Sequence, residues 1–137
     1  MSPWIVLVTL LALLFYFLTG VNAVRTRVRT KVYAPAMSGH PDVERALRVQ
    51  GNTLEWIVIF LPCLWLWSAY LDPRVGAGLG AIWIVGRILY LFGYMQEAQK
   101  RGPGFLVQVL MTAILFFGSL AGVLASLLGH PISKTWF

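Results

Sequence analysis

Arg45, Arg48, Asn52 and Glu55 recur at three- and four-residue spacing. On a helix turning by about 100° per residue they fall at about 0°, 300°, 340° and 280°, which makes one polar stripe. The same arithmetic on the next polar stretch, read as one helix with Arg101 at its end, puts Arg87, Tyr90, Tyr94 and Arg101 within about 60° of one another. Asn52, Glu55 and Arg87 stand at or inside apolar runs, where polar groups are costly and are functional candidates by default. Two such stripes would build a cationic pocket with one carboxylate and two phenols. That set suits a small, predominantly anionic zwitterion: arginines grip carboxylates in bidentate fashion, Glu55 meets an amine, and Asn52 can donate and accept. Gln50, at about 140°, points away from its stripe and reaches the pocket only if a neighbouring subunit supplies the other wall. The plainer alternative is a buried Glu55–Arg87 ion pair that locks a bundle, with Tyr90 and Tyr94 as interfacial anchors.

The elements that must position these residues lie in lipid. Of the 137 residues, 58% are hydrophobic and 12% charged, against about 25% charged in a soluble domain. A single unit of this size cannot hide so much apolar surface in water, so a soluble globular enzyme is excluded. Four apolar runs, Pro3 to Val24, Trp56 to Leu71, Val75 to Met95 and Phe105 to Leu128, are near the length that spans a bilayer as a helix. Barrel strands would alternate polar and apolar residues, and these runs do not. The expected fold is therefore an all-α membrane protein, a bundle of four transmembrane helices at about 3–30, 42–71, 74–100 and 103–129, in one domain over 1–137. Helical pattern extends the second helix back to Val43, with Asp42 as its expected N-cap and Pro62 as its expected bend.

Eight of the eleven cations cluster between apolar runs. Arg25, Arg27, Arg29, Lys31, Arg45 and Arg48 follow the first run, and Lys100 and Arg101 follow the third; Arg74 and Lys134 fall on the opposite side. Clustering of this kind orients a membrane protein rather than binding nucleic acid, and it puts both basic loops in the cytoplasm and both termini outside. Val21, Asn22 and Ala23 resemble a cleavage site, but no basic stretch precedes the first run, so it is expected to remain as an anchor. The short chain without an obvious retrieval signal favours a bacterial inner membrane. Cys63 is the sole cysteine, no Cys/His spacing suits a metal, and Cys63 reads as a packing residue. His40 and His130 flank prolines in loops and take no catalytic role.

The run Glu44-Arg45-Ala46-Leu47-Arg48-Val49-Gln50-Gly51-Asn52-Thr53-Leu54-Glu55, followed by Gly86-Arg87-Ile88-Leu89-Tyr90-Leu91-Phe92-Gly93-Tyr94, resembles the MAPEG family, small membrane proteins of eicosanoid and glutathione metabolism. The four-span layout and the basic loops extend the likeness over nearly the whole chain. The resemblance implies a homotrimer with glutathione, as co-substrate, held at each subunit interface near the cytoplasmic face. It assigns glutathione contacts to Arg48, Asn52, Glu55, Tyr90 and Tyr94, and Arg87, in the same stripe as the two tyrosines, is expected to bind glutathione with them. Gln50 and an arginine at the end of the first helix, for which Arg25 is the candidate, come from the next subunit. Trp56 stands where relatives often have a tyrosine that contacts glutathione. Thr26 then occupies the position of a second arginine found in the cysteinyl-leukotriene synthase, which favours a general detoxifying role over that substrate.

Arg101 matches the arginine credited with holding the thiolate. Free thiols have pKa values near about 8.5, so the site must favour the anion, by the charge of Arg101 or by a hydrogen bond from Tyr94. The expected function is a membrane-bound glutathione transferase or peroxidase acting on lipophilic electrophiles or lipid hydroperoxides, without metal. A non-catalytic lipid-binding scaffold of the same fold is the alternative. A small transporter using Glu55 and Arg87 as a relay is a third, but no polar residues continue the stripes to the opposite side.

Overall fold

The computed structural model describes residues 1–132, so Lys134 lies outside the described residues. Four helices, α1 (Pro3–Thr30), α2 (Pro41–Tyr70), α3 (Pro73–Gln96) and α4 (Gly102–Leu127), are each long and apolar enough to cross a membrane. Each opens with a proline in its first turn, where the missing N–H is no loss. Asp72 caps α3 by accepting from the Arg74 amide at 2.7 Å. Asp42 does not cap α2. Because Pro41 takes the first helical position, the cap is His40, whose Nδ1 accepts from the Asp42 amide at 3.1 Å. Asp42 instead accepts from Arg29 at 2.7 Å and ties the end of α1 to the start of α2.

Residues of α1 at three- and four-residue steps, among them Ile5, Val8, Ala12, Phe15 and Thr19, are buried, while Leu10 is 59% and Phe17 66% exposed. Large apolar side chains therefore cover the outside as well as the core, which fits a lipid solvent. Consecutive helices run antiparallel. Trp65 on α2 donates to Thr9 on α1 (3.0 Å), and Trp83 on α3 donates to Thr112 on α4 (3.1 Å). Ser119 on α4 reaches the Cys63 carbonyl on α2 (3.3 Å), a parallel pairing. Phe60 and Trp83 stack at the centre with ring centroids 4.0 Å apart, beside Ile5, Leu64 and Leu115.

The main departure from the expected elements lies after α3. The helix stops at Gln96, Glu97 is extended, and Ala98–Arg101 form a single 3-10 turn leading into α4. Arg101 is therefore not on the third helix, and the helical arithmetic that joined it to Tyr94 does not apply. Gly93 makes the reversal possible: a Cβ there would collide with the backbone carbonyl of Lys100, which folds back onto α3. Gly104 does the same for the helix pair, since its Cβ would lie 2.6 Å from the Gly86 carbonyl oxygen. Small residues at such crossings let helix backbones meet.

Candidate functional site

At the basic end, α2, α3 and α4 enclose a hollow of about 300 Å³ lined by Arg48, Asn52, Tyr90, Tyr94, Arg101 and Phe105. The 3-10 turn delivers Arg101 to it: the guanidinium carbon lies 5.5 Å from the Tyr94 ring centroid, and Nη1 donates to the Ala98 carbonyl at 3.0 Å. Tyr90 stands between Tyr94 (5.6 Å between centroids) and Phe105 (6.3 Å), and Phe105 meets the edge of Trp56 at 5.7 Å. The aromatic part of the lining, Tyr90, Tyr94 and Phe105, thus continues to Trp56, and the cationic part is Arg48 and Arg101, the latter over the Tyr94 ring.

Behind this lining stands Arg87. It is fully buried, which corrects the expectation that it touches a ligand directly. Its Nη1 donates to Asn52 Oδ1 at 2.9 Å and its Nη2 to Thr53 Oγ1 at 2.7 Å, while its guanidinium carbon lies 4.2 Å from the Tyr90 ring centroid. The Glu55–Arg87 lock is also absent from the structure. Glu55 is exposed and pairs with Arg48 at 3.7 Å, outside the hollow, because Asn52 and Thr53 are the α2 side chains turned toward α3. Arg45 stays at the helix entrance with Asp42, 3.6 Å away.

Arg25 and Gln50 lie in a different place. They line a second hollow of about 450 Å³ with Tyr16, Phe17, Gly20, Val21 and Val24, on the outer faces of α1 and α2. Gln50 and Asn52 project about 200° apart around α2, so one chain cannot turn both toward one ligand. Of the three arginines ending α1, Arg27 binds the Val32 and Ala36 carbonyls and Arg29 binds Asp42. Arg25 has no hydrogen-bond partner among the described residues and is exposed.

The sequence reading missed two members of the site. Thr53, the second anchor of Arg87, is a hydroxyl beside a singled-out asparagine and carries no separate signal. Phe105 is one apolar residue among many at the head of α4. Gln108, fully buried on α4 with no hydrogen bond to either side-chain atom among the described residues, is legible as an amide inside an apolar run. Among the described residues no cluster of His, Cys, Asp or Glu suits a metal.

Comparison with known proteins follows the same lines. The family model described as MAPEG family matches residues 5–121. An uncharacterized protein of Synechocystis sp. is 47% identical over 88% of this chain and 88% of its own. Microsomal glutathione S-transferase 2 of Homo sapiens is 36% identical over 76% of this chain and 71% of its own. Leukotriene C4 synthase of Cavia porcellus is 33% identical over 69% of this chain and 63% of its own.

Proposed function

The chain belongs to the MAPEG family, and from that premise we propose that it is a membrane-bound glutathione transferase that activates glutathione as its thiolate. The observation that carries the reading is the hollow at the basic end, where Arg48, Asn52, Tyr90, Tyr94 and Arg101 converge. Glutathione bears two carboxylates, one ammonium and one thiol, and arginines, an amide and phenols provide donors for its anionic groups. Arg101 and Tyr94 act on the sulfur: a cation and a phenol beside it favour the thiolate over the thiol. The exposed carboxylate of Glu55, at the rim beside Arg48, meets the ammonium.

The unpartnered Arg25 and the outward Gln50 support a site shared between subunits of a homotrimer. The hollow of one subunit then faces the α1–α2 patch of the next, which supplies both residues. In this reading Trp56 acts through its aromatic body on Phe105, since it has no hydroxyl to offer. The basic end faces the cytoplasm, both termini lie outside, and the host membrane is a bacterial inner membrane.

A lipophilic electrophile reaches the sulfur from the bilayer along the aromatic wall. In substitution, the thiolate forms a carbon–sulfur bond as the leaving group departs with its electron pair; in addition, the carbanion formed takes a proton from water. A lipid hydroperoxide is attacked at its outer oxygen, its O–O bond breaks, the departing alkoxide takes a proton from water, and an alcohol and glutathione sulfenic acid result. A second glutathione then displaces water to give the disulfide. No nucleophile or metal of the protein takes part in either route.

The test is thiolate ultraviolet absorbance on adding glutathione to detergent-purified protein at neutral pH. A saturable rise that disappears in Arg101→Ala is expected. No rise, with no binding heat by calorimetry, would replace this reading with the lipid-binding scaffold.

A further inference from the structure

Arg87 is a buried cation without a counter-ion. Among the described residues no Asp or Glu pairs with it, and its partners Asn52 and Thr53 are neutral. The Thr53 hydroxyl gives its own proton to the Val49 carbonyl at 2.7 Å, so it meets Arg87 only as an acceptor. A guanidinium has donors and no acceptor, so the Asn52 amide must also present its oxygen to Arg87. Its NH2 group then points the other way, has no partner among the described residues, and belongs to a residue that lines the hollow.

We propose that Arg87 is a positioning residue that orients Asn52, through the bond to Oδ1, so that its NH2 group donates to a carboxylate of the ligand, and that the ligand's negative charge offsets the buried charge of Arg87. The proposal rests on the hollow being the glutathione site, and it narrows what Asn52 does there. The Asn52 oxygen is turned toward Arg87, so Asn52 meets the ligand through its NH2 group. With Arg48 beside it, the hollow offers two donors to anionic oxygen, Arg101 being placed over Tyr94 for the sulfur, and the one carboxylate stays outside at the rim. A cation fixed in low dielectric behind that lining makes an anion more favourable there than at the surface.

Asn52→Asp separates this from a structural role. The carboxylate keeps an acceptor toward Arg87 and gives it the missing counter-ion, so the unliganded protein is expected to melt at the wild-type temperature or several degrees above it. The same change turns an acceptor toward the hollow and cancels the charge behind it, so glutathione affinity by calorimetry is expected to fall at least tenfold. Wild-type affinity in Asn52→Asp, or a lower melting temperature, would overturn the proposal. Arg87→Gln frees the Asn52 amide to flip, because a glutamine can also accept. It is expected to raise KM for glutathione at least tenfold while kcat at saturating glutathione stays within a few-fold, and Arg87→Lys, still a donor only, restores most of the KM. Equal loss in the Lys and Gln variants, with kcat falling alongside, would reduce Arg87 to core structure. If Arg87→Gln does not fold, Asn52→Asp decides alone, since the proposal requires it to fold. Failure of the wild type to bind glutathione would overturn the reading of the hollow, and the melting temperature of Asn52→Asp would still test the Arg87–Asn52 geometry.

Discussion

Arg101 and Tyr94 meet across a chain reversal: the guanidinium lies 5.5 Å from the phenol ring centroid although α3 has ended at Gln96 and Arg101 belongs to the turn that follows. The pairing depends on the turn folding back over α3, so the group assigned to the sulfur is set by a backbone contact rather than by helix register. Arg101→Ala is expected to keep glutathione affinity within a few-fold, because the residue is proposed to act on sulfur rather than on the peptide, and to abolish the thiolate signal and turnover. Calorimetry and absorbance on one preparation measure both quantities. Parallel loss of affinity and turnover would assign Arg101 to peptide binding.

Gly93→Ala approaches the same pair from the backbone. The added methyl meets the Lys100 carbonyl, which is main chain and cannot rotate away as a side chain would. Overpacking of this kind costs about 1 to 3 kcal/mol. The turn is expected to shift and carry Arg101 from Tyr94, so the thiolate signal falls as in Arg101→Ala although no ligand-contacting side chain has changed. A variant with normal thiolate formation and normal melting would mean that the turn tolerates displacement.

The sequence announced the four helices because lipid demands long apolar runs and because prolines mark their starts. Of the stripe on α2, which one helix carries throughout, Arg48 and Asn52 line the hollow, while Arg45 stays with Asp42 and Glu55 lies outside. The sequence misled where geometry left a single helix. Arg101 was assigned a helical angle it does not have, since neither Gly93 nor the extended Glu97 declares from sequence that the chain will reverse there. Arg87 was expected at the ligand because a charge inside lipid suggests function, but its neighbours Asn52 and Thr53 come from another helix and are visible only once α2 and α3 are packed. Gln50 was read correctly as pointing elsewhere from its angle alone, and the second hollow gives that direction a destination beside Arg25.

Glu55→Gln tests the rim. The Glu55 and Arg48 side chains are 59% and 58% exposed and 3.7 Å apart. Exposed pairs of this kind contribute about 0 to 1 kcal/mol, so melting and assembly are expected to stay near wild type. Loss of the carboxylate proposed to meet the ligand ammonium is expected to weaken glutathione binding about tenfold, equivalent to about 1.4 kcal/mol. Unchanged affinity would remove Glu55 from the site, and loss of assembly would give it the structural role that its exposure argues against.

The two hollows allow a complementation experiment. Arg48 lines the first hollow and Gln50 the second, and the two cannot serve one ligand from one chain. Arg48→Ala and Gln50→Ala proteins, each expressed alone, are expected to bind glutathione at least tenfold more weakly than wild type. Co-expressed under two affinity tags and purified through both, they form mixed assemblies. At an interface where the Gln50→Ala chain supplies the first hollow and the Arg48→Ala chain supplies the facing patch, both wild-type residues are present. In the proposed ring of three, every assembly that carries both tags has that arrangement at about one interface in three. Calorimetry of the mixed protein is therefore expected to recover a minority of sites at wild-type affinity, with the remainder weak. Mixed assemblies that recover no strong sites would mean that each chain binds its ligand alone, and Gln50 and Arg25 would then need another ligand or none.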